Sequence, residues 1–276
     1  MISLFRVLSW SPLWLLHSIG WALGWLVFAL SLTYRRRFLD NLRQAGLSFG
    51  QALAAVGQSG AMVMELPRLW LGRPVAIRWD GEQCVEEALA AGRGIVFLTP
   101  HLGSFEITAQ AYAARYGQRQ PVTVLFRPSR QPSLRSLVAS ARNRPGLMTA
   151  PTTMAGVKQL IKALREGQSV GLLPDQVPPQ GLGVWAPFFG REAYTMTLSA
   201  RLARQTGAVV LLVWGERLSW GRGYCMHVRP LGEALSDDAV AAATVVNRAM
   251  EQIIAGCPQQ YLWGYARYKQ PRVEGA

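Results

Sequence analysis

Residues 92–106 read Gly-Arg-Gly-Ile-Val-Phe-Leu-Thr-Pro-His-Leu-Gly-Ser-Phe-Glu, and this stretch predicts a buried strand followed closely by a helix. The four apolar residues Ile95–Leu98 follow two glycines, which is typical of a short strand in a protein core. Pro100 disfavours a helical conformation for the residue before it, so the chain stays extended as far as His101. His101 is therefore expected at the carboxyl end of a strand, where α/β sheets hold their reactive groups.

The residues after His101 predict a helix that begins close to its imidazole. Ser104 is a suitable N-cap residue, and Glu106 then lies in the first helical turn. A loop that leads into this turn lets Glu106 fold back toward His101. Such a pair can activate a hydroxyl group, because the imidazole titrates near neutral pH and the carboxylate fixes its tautomer. The plainer alternative is a structural histidine beside an acid that favours the start of a helix.

Strands and helices alternate along most of the remaining chain. Apolar runs predict strands at 75–79, 95–98, 122–126, 147–150, 169–173, 208–214 and 224–229. Amphipathic segments predict helices at 82–91, 104–115, 132–144, 153–166, 195–206 and 236–255, after a helical region at 38–72. A stretch rich in Pro and Gly at 177–191 predicts a long loop. This alternation predicts an α/β fold with a mostly parallel sheet covered by helices on both faces.

The first 37 residues predict a membrane-anchoring helix. No Lys, Arg, Asp or Glu occurs between Val7 and Tyr34, and the apolar core at 13–32 is long enough to cross a bilayer. A basic cluster follows directly, as at a cytoplasmic membrane boundary. Tryptophans at several depths equally fit a helix that lies in the interface, so spanning and lying are both open. Residues 38–276 contain no linker and are expected to form one domain. The expected anchoring residues are Trp14, Trp21, Trp25, Arg35, Arg36 and Arg37.

The composition indicates a basic, reduced protein. The chain has 276 residues with 29 basic and 16 acidic side chains, which gives a formal net charge of +13. This excess favours an acidic membrane surface, a phosphorylated lipid, an acidic carrier protein or a nucleic acid as partner. The three cysteines lie far apart and form no C-x-x-C pair, which indicates reduced thiols. His17, His101 and His227 have no metal-ligand spacing, so no metal or other cofactor is expected.

Eight short blocks follow one another along the chain: 41–42 (Asn-Leu), 92–94 (Gly-Arg-Gly), 99–106 (Thr-Pro-His-Leu-Gly-Ser-Phe-Glu), 126–128 (Phe-Arg-Pro), 142–146 (Arg-Asn-Arg-Pro-Gly), 175–176 (Asp-Gln), 187–190 (Pro-Phe-Phe-Gly) and 263–269. In content and order they resemble the bacterial lipid A biosynthesis acyltransferases. These enzymes belong to the glycerolipid acyltransferase superfamily with its H-x4-D/E motif, which is His101 to Glu106 here. The resemblance therefore implies a glycerolipid-acyltransferase-like fold.

The resemblance also implies transfer of a fatty acyl chain from acyl carrier protein to a hydroxyl group of a lipid A precursor or related glycolipid. It places His101 as general base with Glu106, and adds Arg142 and Asp175 to the catalytic residues. Ser104 lies outside a G-x-S-x-G turn, so direct transfer without an acyl-enzyme is expected. The site is expected to face the cytoplasm at the inner membrane. The expected substrate-binding residues are Arg127, Arg144, Gly103 and Gln176.

Some positions depart from the family pattern and leave the acceptor open. Ser104 stands where the family often has Asn, Phe105 replaces a more usual Trp, and 264–266 (Gly-Tyr-Ala) replaces a His-Arg pair. One alternative is the same chemistry on a lysophospholipid or an amino-acid lipid. Another class is a non-enzymatic, basic, membrane-tethered scaffold, which would have no need of His101 paired with an acid. Nucleic acid is not an expected partner, because the sequence has no basic recognition helix and no RNP-like aromatic residues.

Overall fold

A seven-stranded sheet forms the centre of the computed structural model, which describes residues 2–126 and 144–273. Its strands are β1 (Ile77–Asp80), β2 (Ile95–Leu98), β3 (Val122–Phe126), β4 (Leu147–Pro151), β5 (Ser169–Leu172), β8 (Val209–Arg217) and β9 (Tyr224–Pro230), and a separate hairpin contains β6 (Gly183–Phe188) and β7 (Arg191–Met196). The five strands in the order β8-β2-β5-β3-β4 are parallel, while β9 and β1 at one edge run the opposite way. The predicted mostly parallel α/β sheet is therefore confirmed.

Helices connect most of these strands, as the alternating pattern predicts. The predicted helical region 38–72 contains the end of one helix and two further helices, and the helix predicted at 132–144 lies outside the described residues except for Arg144. The last helix begins at Ala239 rather than at 236, because the Asp238 carboxylate accepts the Ala241 N–H at 2.7 Å. The helices are α1 (Ile2–Trp10), α2 (Leu13–Leu30), α3 (Leu32–Gln44), α4 (Phe49–Met64), α5 (Leu66–Leu71), α6 (Glu82–Ala90), α7 (Phe105–Tyr116), α8 (Met154–Arg165), α9 (Leu198–Thr206) and α10 (Ala239–Gly256).

The long loop predicted at 177–191 is wrong, because this stretch contains most of a β-hairpin. Strand β6 (Gly183–Phe188) pairs with β7 (Arg191–Met196) in antiparallel register. The turn between them is Phe189-Gly190, with φ of 47° and 73°, so both residues are left-handed as in a type I′ turn. Phe189 lacks the usual Asn or Asp signal for such a turn. Its conformation is held by tertiary contact, since its N–H donates to Glu251 Oε1 at 2.7 Å.

The core divides into two hydrophobic clusters that share the strands of the sheet. Val96 and Leu98 of β2 lie in one cluster, and Ile95 and Phe97 of the same strand lie in the other. Successive side chains of a strand point to opposite faces, which explains this alternation. The strand is fully buried, as its continuous apolar sequence predicts.

Helix α2 packs along α4 through small residues. A Cβ atom on Gly60 would stand 1.9 Å from the carbonyl oxygen of Gly20, and one on Gly24 would stand 2.3 Å from the Val56 carbonyl oxygen. These glycines therefore permit the close approach of the two backbones. In the described part of the chain, α2 is the one helix long and apolar enough to cross a membrane. Only 28% of its 18 residues are buried.

The predicted anchoring residues lie along and just beyond α2. Trp14 and Trp21 are about half exposed, Trp25 is partly buried against Trp21 and Phe28, Arg35 is half-buried, and Arg36 and Arg37 are exposed. Helix α3 runs through the predicted domain boundary after residue 37. Its N-cap is Ser31, whose hydroxyl accepts the Tyr34 N–H. The division into two domains stays a prediction.

Candidate active site

The centre of the candidate site is His101, which the sheet brings next to Asp175. Strands β2 and β5 are parallel neighbours, so the residues that follow them meet at one edge of the sheet. Nδ1 of His101 lies 2.7 Å from Asp175 Oδ1, and the His101 backbone N–H donates to Asp175 Oδ2 at 2.8 Å. The carboxylate therefore holds both the ring and the backbone of the histidine.

The environment keeps Asp175 ionised. Burial alone would raise the pKa of this carboxyl group, but the charge and hydrogen bonds of His101, with a further contribution from Arg267, lower it. An ionised Asp175 accepts a hydrogen bond from the protonated Nδ1 of His101, which leaves Nε2 with its lone pair. The side-chain amide of Gln176 lies 3.1 Å from that Nε2 atom and donates to it. His101 is thus oriented as a base at Nε2.

Glu106 has a different contact from the one predicted. The hydrogen bond expected between Glu106 and the second ring nitrogen of His101 is made by Asp175 instead. Oε1 of Glu106 accepts the indole N–H of Trp70 at 3.0 Å, because the first turn of α7 lies beside α5. The catalytic role of Glu106 stays a prediction.

Arg144 lies in the same part of the site as Glu106. Its Nη2 donates to the backbone oxygens of Leu69 and Trp70 at 2.5 and 3.0 Å. Burial lowers the pKa of Arg144, while the charge of Glu106 acts in the opposite direction. The predicted residues Arg127 and Arg142 lie outside the described residues.

Gly103 fixes the course of the loop between β2 and α7. Its φ is +58°, and a Cβ atom there would stand 2.1 Å from the Gly215 carbonyl oxygen of β8. Its N–H donates to the Gln260 carbonyl, and its own carbonyl accepts Nη2 of Arg217 at 2.9 Å. Both backbone groups are used within the protein, so these contacts position the loop, and a substrate-binding role stays a prediction. Ser104 is the N-cap residue of α7, but its hydroxyl makes no capping hydrogen bond.

A buried ion pair that the sequence did not indicate lies behind this loop. Glu65 and Arg217 are 1% and 4% exposed and are joined by two hydrogen bonds of 2.7 and 2.9 Å. Tyr224 and His17 also donate to Glu65. Burial would raise the pKa of Glu65, but Arg217, helped by His17, holds it at about 2. No local sequence pattern predicts this cluster, because its members lie far apart in the sequence.

An apolar cavity of about 80 Å³ lies between α7 and the sheet, next to His101. Phe105 lines the cavity, and its ring centroid is 4.9 Å from that of His101. Two turns further along α7, Tyr112 also lines it and shares a 2.8 Å hydrogen bond with Ser169. The apolar lining suits hydrocarbon, and a cavity of this volume has room for a few methylene groups of a chain. Among the described residues no group of His, Cys, Asp and Glu could hold a metal ion.

The chain is similar in sequence to known acyltransferases. The model of the bacterial lipid A biosynthesis acyltransferase family matches residues 2–270. The lipid A biosynthesis lauroyltransferase of Escherichia coli is 29% identical over 221 residues, which are 78% of this chain and 70% of that enzyme. The lipid A biosynthesis palmitoleoyltransferase of the same organism is 27% identical over 226 residues, 80% and 69% of the two chains. The phosphatidylinositol mannoside acyltransferase of Mycobacterium tuberculosis is 28% identical over 218 residues, 76% and 66% of the two chains.

Proposed function

Because the chain belongs to the bacterial lipid A biosynthesis acyltransferase family, we propose that it transfers a fatty acyl chain to a hydroxyl group of a lipid A precursor. The observation that carries the proposal is His101, whose ring is held by the buried Asp175 beside an apolar cavity. The base and the cavity supply the two things that O-acyl transfer needs near each other, a proton acceptor and a place for the chain.

The reaction begins when Nε2 of His101 removes the proton of the acceptor hydroxyl as its oxygen attacks the thioester carbonyl. The ionised Asp175 stabilises the imidazolium that forms, without taking its proton. When the tetrahedral intermediate collapses, the new C–O bond remains and the C–S bond breaks. The imidazolium then returns its proton to the leaving thiolate, so His101 is regenerated and no acyl-enzyme is needed. The Gln176 amide lies 3.1 Å from Nε2 of His101, and the attacking hydroxyl takes the place of this amide.

The donor we propose is the thioester of acyl carrier protein, which is acidic and complements the net charge of +13. We assign the few methylene groups nearest the thioester to the cavity between α7 and the sheet. The remaining roles of Glu106, Arg127, Arg142 and Arg144 are proposed from the family resemblance. For Arg144 we propose contact with an anionic substrate group, because a guanidinium carries a permanent positive charge and binds carboxylate and phosphate groups.

The fold and location that we propose follow from the same resemblance. The two core clusters support a sheet covered by helices on both faces, as in the glycerolipid acyltransferase superfamily. The largely exposed apolar surface of α2 supports attachment to a membrane. We place the enzyme at the inner membrane with its site on the cytoplasmic side, where acyl carrier protein is available.

A second acceptor class is favoured by one comparison. The chain is 28% identical to a mycobacterial enzyme named for acylation of a phosphatidylinositol mannoside, which is a glycolipid but not lipid A. The acceptor is then a phospholipid-based or amino-acid lipid, and His101 performs the same step. The non-enzymatic scaffold has no use for the His101–Asp175 pair and is the less supported class.

Mass spectrometry of lipids from cells with and without the gene tests the function directly. We expect lipid A to gain the mass of one acyl chain in cells with the intact chain and in cells with His227→Ala. His227 is a suitable control because it also contacts carboxylates, and these belong to Asp80 and Glu216 rather than to a residue of the candidate site. Cells with His101→Ala should lack the gain. Unchanged lipid A with altered phospholipids would select the second acceptor class, and no lipid change would contradict both.

A further inference from the structure

Trp220 is an exposed tryptophan in an unfavourable backbone conformation. It lies in the turn Ser219–Gly221 between β8 and β9, with φ of 60° and ψ of 26°, and its side chain is 87% exposed. A bulky residue rarely adopts this left-handed region, where glycine is preferred. The indole buries almost no surface within the protein, so packing in the fold does not explain its presence.

The turn places Trp220 next to other exposed tryptophans. A Cβ atom on Gly221 would stand 2.3 Å from the backbone nitrogen of Trp14, so the turn lies directly on the first turn of α2. Trp14 is 54% exposed, and Trp10, at the end of α1, is 70% exposed. Three exposed indole rings thus occur where α1, α2 and the β8–β9 turn meet.

This cluster lies on the same edge of the sheet as the candidate active site. Arg217, at the end of β8, comes three residues before Trp220 and binds the Gly103 carbonyl, two residues after His101. On the side of α1, Phe5 stacks on Trp70, whose indole donates to Glu106. A surface that binds the indoles would therefore lie close to the catalytic groups.

The charged residues closest to the three tryptophans in the sequence are basic. Arg6, Arg73 and Arg222 are exposed, and the Arg73 guanidinium lies 5.3 Å from the ring centroid of Trp10. The sequence has no Asp or Glu at 2–39, 66–79 or 218–232. Indole rings together with arginines are the combination that favours the interface of a bilayer containing anionic lipids. An acidic protein would match the arginines but would give the indoles no apolar layer to enter.

We propose that Trp220 on the β8–β9 turn inserts with Trp10 and Trp14 into an anionic bilayer and docks the catalytic edge of the sheet against the headgroups. The inference rests on the proposed function only in taking a membrane lipid as the acceptor. Helix α2 then lies in the interface, because α4 packs along it and ends next to the buried charge of Glu65. A spanning α2 would draw α4 and the Gln58 side chain, which binds Arg217, into the hydrocarbon layer.

Vesicle flotation of the full chain with Trp220→Gly tests the docking. Glycine removes the indole and relieves the left-handed strain, so we expect an unfolding temperature equal to or above that of the parent chain. Binding to vesicles of phosphatidylcholine with phosphatidylglycerol should weaken about tenfold or more. Trp185→Ala is the matched control, since that tryptophan is 38% exposed on the β6–β7 hairpin and should leave binding unchanged. Parental vesicle binding by Trp220→Gly, or an equal loss in Trp185→Ala, overturns the proposal.

Activity measurements separate this proposal from the proposed function. With acceptor lipid in vesicles, Trp220→Gly should turn over at least several-fold more slowly, and with acceptor dispersed in detergent it should match the parent. If the parent chain is inactive in both assays while Trp220→Gly still binds vesicles more weakly than the parent, that result supports the docking surface and contradicts the proposed function. A slower reaction in detergent with unchanged vesicle binding overturns the docking surface.

Discussion

His101 and His17 each hydrogen-bond to a buried carboxylate, but the surroundings of the two pairs differ. Nδ1 of His101 is 2.7 Å from Asp175, and Nε2 of His17 is 3.0 Å from Glu65. Asp175 directs both oxygens to the ring and backbone of His101. Glu65 is bound twice by Arg217, so its charge is balanced before His17 contributes.

The second ring nitrogen is the other difference. Nε2 of His101 points to the Gln176 amide, beside the apolar cavity, where a hydroxyl group can replace the amide. His17 uses Nε2 for Glu65, and its ring packs edge-on against Tyr224 with centroids 6.5 Å apart. A histidine paired with a carboxylate therefore indicates acid–base chemistry only where its remaining nitrogen can reach a substrate.

The largest expected effect comes from replacing each of the two histidines by alanine. His101→Ala should lower turnover by about 10²–10⁴-fold, because it removes the general base, and should also lower stability, because the buried Asp175 loses a hydrogen bond. His17→Ala should keep nearly parental turnover and lose stability, since it removes a hydrogen bond to a buried charge. Acyl transfer and thermal unfolding are measured on the same detergent preparations. Equal turnover losses in the two variants would contradict the distinction.

The next effect concerns the Glu65–Arg217 pair, which we expect to stabilise the fold, whereas the His101–Asp175 pair serves catalysis. Arg217→Met leaves Glu65 buried without its cation, and should lower the free energy of unfolding by about 3–5 kcal/mol. The double variant Glu65→Gln/Arg217→Met removes both charges and should recover part of that loss. Urea unfolding gives both values. A single variant as stable as the double variant would mean that Glu65 is not held as a buried charge.

These two regions also mark how much the sequence could predict. The position of His101 at a strand end was predictable, because an apolar run and Pro100 act locally. Its partner was not, because Asp175 reaches His101 only through the pairing of β2 with β5, and strand order is not a local property. The position of Asp175 after a predicted strand was the available signal.

Two other features could not be predicted from the sequence because they depend on contacts between distant residues. Arg217 and Glu65 are 152 residues apart and meet only in the folded chain. The β6–β7 hairpin was missed because Phe189 is not a turn residue by type and is held left-handed by its bond to Glu251 on α10. Both cases depend on tertiary structure that overrides local propensity.

Acid unfolding is expected to reveal how much the Glu65–Arg217 pair contributes to stability. The pKa of Glu65 is about 2 in the folded chain, compared with an ordinary value of 4.5. A lowered folded pKa contributes stability above the ordinary value, and this contribution of about 3 kcal/mol is lost as the pH falls from about 4.5 to 2. Asp175, whose pKa is also lowered, adds in the same direction. The double variant Glu65→Gln/Arg217→Met should show a shallower loss over this range, and an identical pH profile would contradict the assignment.

The smallest effect concerns the amide beside Nε2 of His101. Gln176→Ala removes one neutral hydrogen bond, which is worth about 0.5–1.5 kcal/mol, so turnover should change by no more than about tenfold. Gln176→Glu keeps the size but places a carboxylate where it stabilises the imidazolium, which removes the lone pair that accepts the substrate proton. Its turnover should therefore fall well below that of Gln176→Ala in the same steady-state assay. If Gln176→Ala instead lost as much turnover as His101→Ala, Gln176 would act on the reacting atoms themselves and the hydroxyl could not take its place.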